Sequence, residues 1–380
     1  METLLCRELR LRQYRNFAKL DLRFPASGVA VIGDNGSGKT NLLEALYYLE
    51  LFRSFRGSGD RQLVRFGEDG FFIEARYGSN ANGEERQITA AYDRRMRRKK
   101  VSVDGVEVER VGHALGRIGI VVFSPSDLEI ITGSPGVRRR FLDIVLSLNV
   151  PGYLDALQHY RQVLRQRNSM LRRGTSLEQL EAWNEGLVKW GARLMSARAA
   201  WVRDQASEFA DKYALLGAGP PAFLRYQPVA GTEADHDHHL DEAEADRLLR
   251  LELKRLAARE REQGVTLTGP HRDRIICAVN AGSGKLDLRE IGSGGQQRTA
   301  AIVLRMLEAV TVRRCRRRYP LLLLDDVFAE LDAGRVKRIL DLLDTEESGQ
   351  VILTAPKESE LTPRHGSLVR WRIADGQVST

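Results

Sequence analysis

The sequence predicts an α/β protein: a mixed sheet with a β-rich lobe beside it, and a helical lobe inserted between the two halves of that core. Three segments far apart in the chain predict it. Gly33-Asp34-Asn35-Gly36-Ser37-Gly38-Lys39-Thr40 follows a short apolar strand and opens a helix, the context a phosphate-binding P-loop requires. Ser293-Gly294-Gly295-Gln296-Gln297 precedes a helix carrying Ala300, Ala301, Ile302, Leu304, Met306 and Leu307. Leu321-Leu322-Leu323-Leu324 is a buried strand that delivers Asp325 and Asp326 to its end, with Glu330-Leu331-Asp332 following.

Residues 4–24 alternate as strands around Arg15-Asn16-Phe17, and Val29-Ala30-Val31-Ile32 is the strand that enters the P-loop. The helix Asn41 to Phe52 places Leu42, Leu43, Leu46, Tyr47 and Leu49 at helical spacing. A β-rich lobe covers 70–123, with strands at 71–77, 87–92 and 101–103 and a two-residue hairpin turn at Asp104-Gly105. Gly119 to Phe123 is a buried strand ending at Ser124-Pro125. The chain then turns helical. Tyr153 to Arg173 is one helix, and Ser176 with Gln179 forms a capping box for a second that runs to about Leu215. Gly217 to Pro221 is a break, 231–240 is polar and loop-like, and a third helix covers 240–262. Residues 265–380 return to strand–helix alternation. The expected division is an ATPase domain from 1–134 and 263–380, with a helical lobe, a short arm, at 135–262. There is no internal repeat and no heptad run long enough for an extended coiled coil.

The P-loop glycines let successive backbone N–H groups point at phosphates, and side chains at Gly36 or Gly38 would obstruct that approach. Lys39 reaches the β and γ phosphates, and the Thr40 hydroxyl is a Mg²⁺ ligand at a helix N-terminus that favours anions. Asp325 holds Mg²⁺ through water. Asp326 stands where an ABC-type ATPase places the carboxylate that polarises attacking water. That residue is usually Glu, and the shorter Asp implies slow hydrolysis. Ser293, Gly294, Gly295 and Gln296 form a second anion site at a helix N-terminus. In a head-to-tail dimer it would meet the γ-phosphate held by the other copy. The three motifs in this order therefore point to an ABC-type P-loop ATPase in which two copies clamp ATP.

The chain of 380 residues has a net charge of +8, which favours a polyanionic partner. Four basic clusters carry that charge. They are Arg94-Arg95-Met96-Arg97-Arg98-Lys99-Lys100, Arg138-Arg139-Arg140, the helix bearing Arg161, Arg165, Arg167, Arg172 and Arg173, and Arg313 to Arg318. Arg94, Arg95, Arg97, Arg98, Lys99, Lys100, Arg138 and Arg139 are the candidate DNA contacts, made to phosphates without reading sequence. Cys6, Cys277 and Cys315 lack ligand spacing and read as reduced thiols of a cytoplasmic protein. Basic residues interrupt the first thirty positions, so no signal-peptide core is visible, and no apolar run approaches a membrane span. Asp235-His236-Asp237-His238-His239 has metal-ligand residue types but no partners at metal-site spacing, and reads as a polar loop.

Through these residues the chain resembles the RecF family of bacterial DNA replication and repair proteins, essentially end to end. The resemblance includes Tyr14-Arg15-Asn16-Phe17, the P-loop and Arg53-Ser54-Phe55-Arg56. It continues through Phe123 to Leu128, Gly133-Ser134-Pro135 with Arg138 to Asp143, and Gln166-Arg167-Asn168. Thr268-Gly269-Pro270-His271-Arg272-Asp273, Gly292 to Arg298 and Leu321 to Asp332 complete it. It implies an SMC-like ATPase head that dimerises with ATP and binds DNA at single-strand/double-strand junctions. It also implies a weak DNA-stimulated ATPase that, with RecR and RecO, helps load RecA at gaps. Two departures from the wider ABC pattern stand out. Phe123 to Leu128 lacks the usual Gln, and Val351-Ile352-Leu353-Thr354 ends in Thr where transporters place a His. Ser124, Asp127 and Thr354 are the candidates for sensing the γ-phosphate. An ATPase subunit of a membrane transporter and an SMC-type bridging protein share the three motifs. The missing Gln and His weigh against the first, and a helical insert of only about 130 residues against the second.

Overall fold

The computed structural model describes residues 2–79, 85–217, 219–230, 240–280, 284–327, 333–345, 349–358 and 368–379. The chain divides into two units, Met1–Asp127 with Glu308–Thr380, and Leu128–Leu307. Its first elements are β1 (Glu2–Tyr14), β2 (Phe17–Arg23), β3 (Gly28–Ile32), α1 (Lys39–Leu51), α2 (Asp60–Leu63), β4 (Gly70–Ser79), β5 (Glu85–Asp93), β6 (Arg98–Val103), β7 (Val106–Glu107) and β8 (Ile120–Phe123). Next come α3 (Leu128–Thr132), α4 (Pro135–Asn149), α5 (Tyr153–Arg172), α6 (Leu177–Leu215), β9 (Ala222–Gln227), α7 (Glu242–Gln263), β10 (Arg274–Asn280), β11 (Lys285–Asp287), α8 (Leu288–Ile291) and α9 (Gly294–Arg316). The last are β12 (Arg318–Tyr319), β13 (Leu321–Asp325), α10 (Ala333–Thr345), β14 (Val351–Ala355), β15 (Val369–Ala374) and β16 (Gln377–Ser379).

The first unit holds two sheets with α1 between them. One runs β16-β15-β3-β14-β13-β8, parallel except for the β15–β16 hairpin. Its central strands are apolar on both faces, as a covered parallel sheet demands: Val29, Ala30 and Val31 of β3 and Leu321 to Leu324 of β13 are all buried. Because β3, β14 and β13 are neighbours and parallel, the P-loop and Asp325 leave the same edge, the carboxyl ends of the strands. The other sheet is the β-rich lobe, in which β1 pairs with β2 and β4, and β4, β5, β6 and β7 follow as antiparallel neighbours. Leu42, Leu43, Leu46 and Leu49 of α1 join both sheets in one core with Leu9, Leu11, Ile73, Ile88, Leu323 and Ile352. Two carboxylates of α1 are also buried, and each has partners. Glu50 accepts from the Ile118 and Gly119 N–H groups at 3.1 and 3.0 Å, and Glu44 belongs to the site below.

The second unit packs α6 against α5, α7 and β9 and adds the antiparallel sheet β11-β10-β9. Ser176 caps α6 by accepting from the Gln179 N–H at 3.4 Å. Strand β9 lies inside the segment read from sequence as helical. It pairs with β10 from Arg274↔Gln227 to Val279↔Ala222. That pairing draws 263–307 into the second unit, so the division falls after Asp127 and Leu307 rather than after 134 and 262. Glu330 to Asp332 and the Asp235 to His239 segment lie outside the described residues.

Candidate nucleotide site

The P-loop is shaped by contacts that leave no room for side chains. Gly36 and Gly38 have φ of +84° and +114°, the left-handed region glycine adopts without strain. A Cβ on Gly38 would come within 2.4 Å of the Asn16 amide nitrogen. Asn16 braces the loop: its Nδ2 donates to the Ser37 carbonyl at 3.0 Å, and its Oδ1 accepts from Asn41 Nδ2 at 2.8 Å. Its neighbour Arg15, itself at φ +53°, reaches back to α1 and forms a two-pronged pair with Glu44 at 2.8 and 2.9 Å. Glu44 is fully buried, and Ser54 also donates to it. Tyr14-Arg15-Asn16-Phe17 thus works as a bracket, with Tyr14 and Phe17 in the core and the two polar residues gripping α1 and the loop. These residues were outside the candidate site set. The signal for them was the Arg and Asn at the β1–β2 turn, whose role appears only when that turn meets α1.

Lys39 is 4% exposed, and its ammonium donates to the carbonyls of Gly33 at 2.7 Å and Asp34 at 3.2 Å. Two of its three N–H donors are used within the loop, and the third is left for a ligand. Helix α1 starts at Gly38 without a side-chain cap and with no acidic residue in its first turn. Its positive end is therefore not neutralised. Ser37 Oγ is buried and, among the described residues, has no hydrogen-bond partner. A loop of glycines with an inward lysine, an uncapped helix and an orphaned hydroxyl fits a polyphosphate.

Residues 285 positions apart meet beside the loop. Thr40 Oγ1 donates to Asp325 Oδ1 at 2.9 Å, which brings the two proposed Mg²⁺ ligands together. Both offer oxygen, the donor that a hard divalent cation takes. Burial above all pushes the Asp325 carboxyl up to about 6, and the Asp326 charge adds to it against the hydrogen bonds from Thr40 and Thr354. Asp326 follows in the left-handed region at φ +44°, and its N–H donates to Thr354 Oγ1 at 3.0 Å. Thr354, 1% exposed, also lies 3.1 Å from Asp325 Oδ1 and 3.3 Å from Asp326 Oδ1. It contacts both carboxylates from within the sheet. Ser124 and Asp127 are buried and bond each other, the Ser124 N–H donating to Asp127 Oδ2 at 2.7 Å. Arg56, exposed, approaches Asn41 Oδ1 at 3.4 Å, and its charge acts on Asp325. It is a cation at the site that the basic-cluster reading passed over.

In the second unit Ser293 and Gln296 cap α9 reciprocally. The Ser293 N–H donates to Gln296 Oε1 at 2.8 Å, and the Gln296 N–H donates to Ser293 Oγ at 3.3 Å. Gln297 Nε2 donates to the Leu288 carbonyl at 2.9 Å, fixing the approach to the helix. Ser293 and Gly294 are exposed, and Gly295 is partly so. The helix N-terminus is thus shaped in advance and faces out of its own unit.

The candidate DNA contacts separate into two groups. Arg94, Arg95, Arg97, Arg98 and Lys100 are exposed. Lys99 is turned inward: it donates to the Phe52 carbonyl at 2.6 Å, pairs with Asp60 at 2.9 Å and lies 5.1 Å from the Tyr48 ring centroid. Arg138 is 2% exposed and donates to the Ile131 carbonyl at 2.6 Å. Arg139 is half-buried and donates to the Asp273 carbonyl at 2.8 Å. All three are engaged in the fold, Arg138 buried and Lys99 and Arg139 partly exposed. All three cysteines are free, Cys6 and Cys277 buried and Cys315 exposed.

Arg167 and Asn168, and Pro270, His271 and Asp273, make buried and partly buried polar contacts inside the second unit. Arg167 donates to Asn184, Thr266 and Glu260 at 2.8, 2.8 and 2.7 Å. Arg198 donates to Tyr153 Oη, the Pro270 carbonyl and Asp143. Asp273 accepts from Tyr226 and from the Val229 N–H. His271 Nε2 faces the Thr266 carbonyl at 3.2 Å, so it carries the proton, and Nδ1 accepts from Tyr160 Oη at 2.6 Å. Burial, reinforced by Arg272, Arg139 and Arg198, pushes His271 down to about 4. The folded state therefore binds fewer protons than the unfolded chain between pH 4 and the ordinary value near 6.5. Stability from this group is complete above about 6.5 and is lost toward pH 4, by up to about 3 kcal/mol. Urea unfolding of the native chain and of His271→Gln across that range should show the native protein losing this much more. Equal slopes would mean that His271 titrates in the folded protein as it does in the unfolded chain.

Among the described residues no helix is long and apolar enough to cross a membrane. Residues 5–379 match the family model described as RecF/RecN/SMC N terminal domain. The chain is 34% identical over 362 residues to the DNA replication and repair protein RecF of Salinibacter ruber, covering 93% of this chain and 85% of that one. It is 35% identical over 359 residues to RecF of a Synechococcus species, covering 92% and 90%. A solved structure of the recombination mediator protein RecF with ATP superposes with a TM-score of 0.87 at 29% identity, covering 100% of this chain and 99% of that one. The Smc head domain of Pyrococcus furiosus shares the fold, with a TM-score of 0.58 at 16% identity over 99% and 95% of the two chains. The fold is thus that of ABC-type ATPase heads, and the likeness at sequence level runs the length of the chain: the protein belongs to the RecF family.

Proposed function

We propose that this chain is an ATP-gated DNA-binding ATPase of recombinational repair. The observation that carries the reading is the 2.9 Å hydrogen bond between Thr40 and Asp325, which assembles a cation site at the mouth of the P-loop. Lys39 and the P-loop N–H groups hold the β and γ phosphates. Thr40 and Asp325 hold Mg²⁺, which when bound neutralises the phosphate charge. Asp326, held by Thr354, orients and polarises the attacking water. Ser293, Gly294 and Gln296 of a second copy close on the γ-phosphate, so ATP binding drives dimerisation and slow hydrolysis reverses it. Exposed Arg94, Arg95, Arg97, Arg98 and Lys100 contact DNA phosphates. The family relation and the solved RecF described as part of the RecFOR pathway support RecO and RecR as partners in loading RecA at gaps.

Titrating DNA binding against salt, with and without ATP, tests this reading. Log affinity should fall linearly with log salt, by about 0.9 per duplex phosphate neutralised. Affinity should also be higher with ATP. A flat salt response, or equal binding in both nucleotide states, would refute the ATP-gated electrostatic reading.

A further inference from the structure

Phe66 is 99% exposed and Met96 75%, more than any other large apolar side chain among the described residues. Isolated exposed apolar residues need no explanation, but these two crown neighbouring turns closed by backbone N–H hydrogen bonds. Phe66 sits in the turn Arg65-Phe66-Gly67-Glu68, closed by the Glu68 N–H to the Arg65 carbonyl at 3.1 Å, with Gly67 at φ +84°. The turn is pinned at its base, where the Arg65 N–H donates to the Gln13 carbonyl at 2.8 Å. Met96 sits on the β5–β6 connection, its N–H bound to Asp93 Oδ1 at 2.8 Å. The Arg94 N–H donates to the Asp69 carbonyl at 2.7 Å and Arg95 pairs with Asp69 at 2.6 Å, tying the two tips together.

Cations outnumber carboxylates around the two tips. Arg65 adjoins Phe66, Arg94, Arg95 and Arg97 surround Met96 along the chain, and Arg61 is exposed on the short helix α2 before the Phe66 turn. The fewer carboxylates are engaged locally, Glu68 with Arg65 at 3.8 Å, Asp69 with Arg95, and Asp93 with the Met96 N–H. From Met96 a groove of about 670 Å³ runs over Phe72 and Ala91 and past Arg98 and Lys100. Register explains its lining: Phe72 pairs with Ala91 and Ala91 with Lys100, so all three share the outward face of the sheet.

We propose that the Phe66–Met96 tip is a base-stacking wedge that makes this protein prefer DNA with unpaired bases. It rests on the DNA-binding reading above and adds the feature that discriminates DNA structure. The arginines select a polyanion. Arginines alone would grip paired and frayed DNA alike, because phosphate contacts carry little further information. An aromatic ring carried on a pinned turn does discriminate. Entering a paired stack costs a few kcal/mol per step, whereas an unpaired base already offers its face and stacks on an aromatic ring whatever its identity. Phe66 takes that base, and the groove takes the adjoining nucleotide with its phosphate near Arg98 and Lys100.

The test compares the full chain with Phe66→Ala and Phe66→Trp, each with ATP. The probes are a blunt duplex and the same duplex with a single-stranded tail carrying 2-aminopurine at its first unpaired position. Phe66→Ala should lose about 5- to 150-fold in affinity for the tailed duplex and less than about twofold for the blunt one. Phe66→Trp should keep tailed-duplex affinity, and only the native protein and Phe66→Trp should quench the 2-aminopurine. Equal loss on both duplexes, or none on either, overturns the wedge while leaving DNA binding in place. Native protein that binds neither duplex overturns the DNA reading itself. Loss of binding to phosphatidylserine vesicles by Phe66→Ala, with DNA affinities unchanged, would assign the tip to a lipid surface and overturn the proposal.

Discussion

Lys39→Met is expected to weaken ATP binding by about two orders of magnitude or more. A hydrogen bond to a charged group contributes about 1.5–3 kcal/mol, and beyond the one N–H left for a phosphate the Lys39 charge attracts both phosphates, so the loss is about 3 kcal/mol or more. Met keeps the unbranched length of the stem, which matters because Lys39 is 4% exposed and sits at the head of α1. The Gly33 and Asp34 carbonyls lose their ammonium partner but stay in a loop braced by Asn16. Isothermal titration with ATP, with circular dichroism to establish that the chain is folded, reads the effect. Unchanged affinity in a folded variant would place nucleotide elsewhere.

What the sequence disclosed and what it hid divide along the range of the interactions. Strand β3, the P-loop and α1 were legible because the signal is local: four apolar residues, spaced glycines, then a helical stripe. So were the Asp104-Gly105 hairpin turn, found at φ +52° and +80°, and the Ser176 cap. The bracket formed by Arg15, Asn16 and Glu44 was not legible, because a glutamate on a helix reads as solvated until a turn 29 residues away in sequence is seen to cover it. Strand β9 was hidden for the same reason: its partner β10 starts some fifty residues later, beyond a helix. The basic clusters show a signal present but unused. In β6, Lys99 alternates in phase with Val101, while Arg98 and Lys100 point the other way. In α4, Arg138 falls in helical phase with buried Phe141, Leu142 and Val145. Charge alone marked these residues as contacts, whereas phase assigns Lys99 and Arg138 to the interior.

In the ATP-bound dimer proposed above, the P-loop of one copy is completed by α9 of another. Ser293→Arg tests this with a large expected effect. Ser293 is exposed within its own unit, and its structural task is the reciprocal cap with Gln296. Losing a cap costs about 1 kcal/mol, which α9 tolerates because it is anchored by Ala300, Val303, Leu304 and Leu307, all buried. Gly33 to Thr40 is untouched, so a single copy should bind ATP with nearly native affinity. A dimer that places Ser293 against the γ-phosphate held by the other copy has no space for an arginine side chain, so both association and turnover should be lost. Multi-angle light scattering of the native chain and of Ser293→Arg at matched concentration, with and without ATP and Mg²⁺, is the direct measurement. The native protein should shift with ATP from its 42.8 kDa chain mass to twice that value, and Ser293→Arg should bind ATP and remain at 42.8 kDa. A Ser293→Arg protein that doubles its mass with ATP, or a native protein that never does, would show that α9 of a second copy does not complete the nucleotide site.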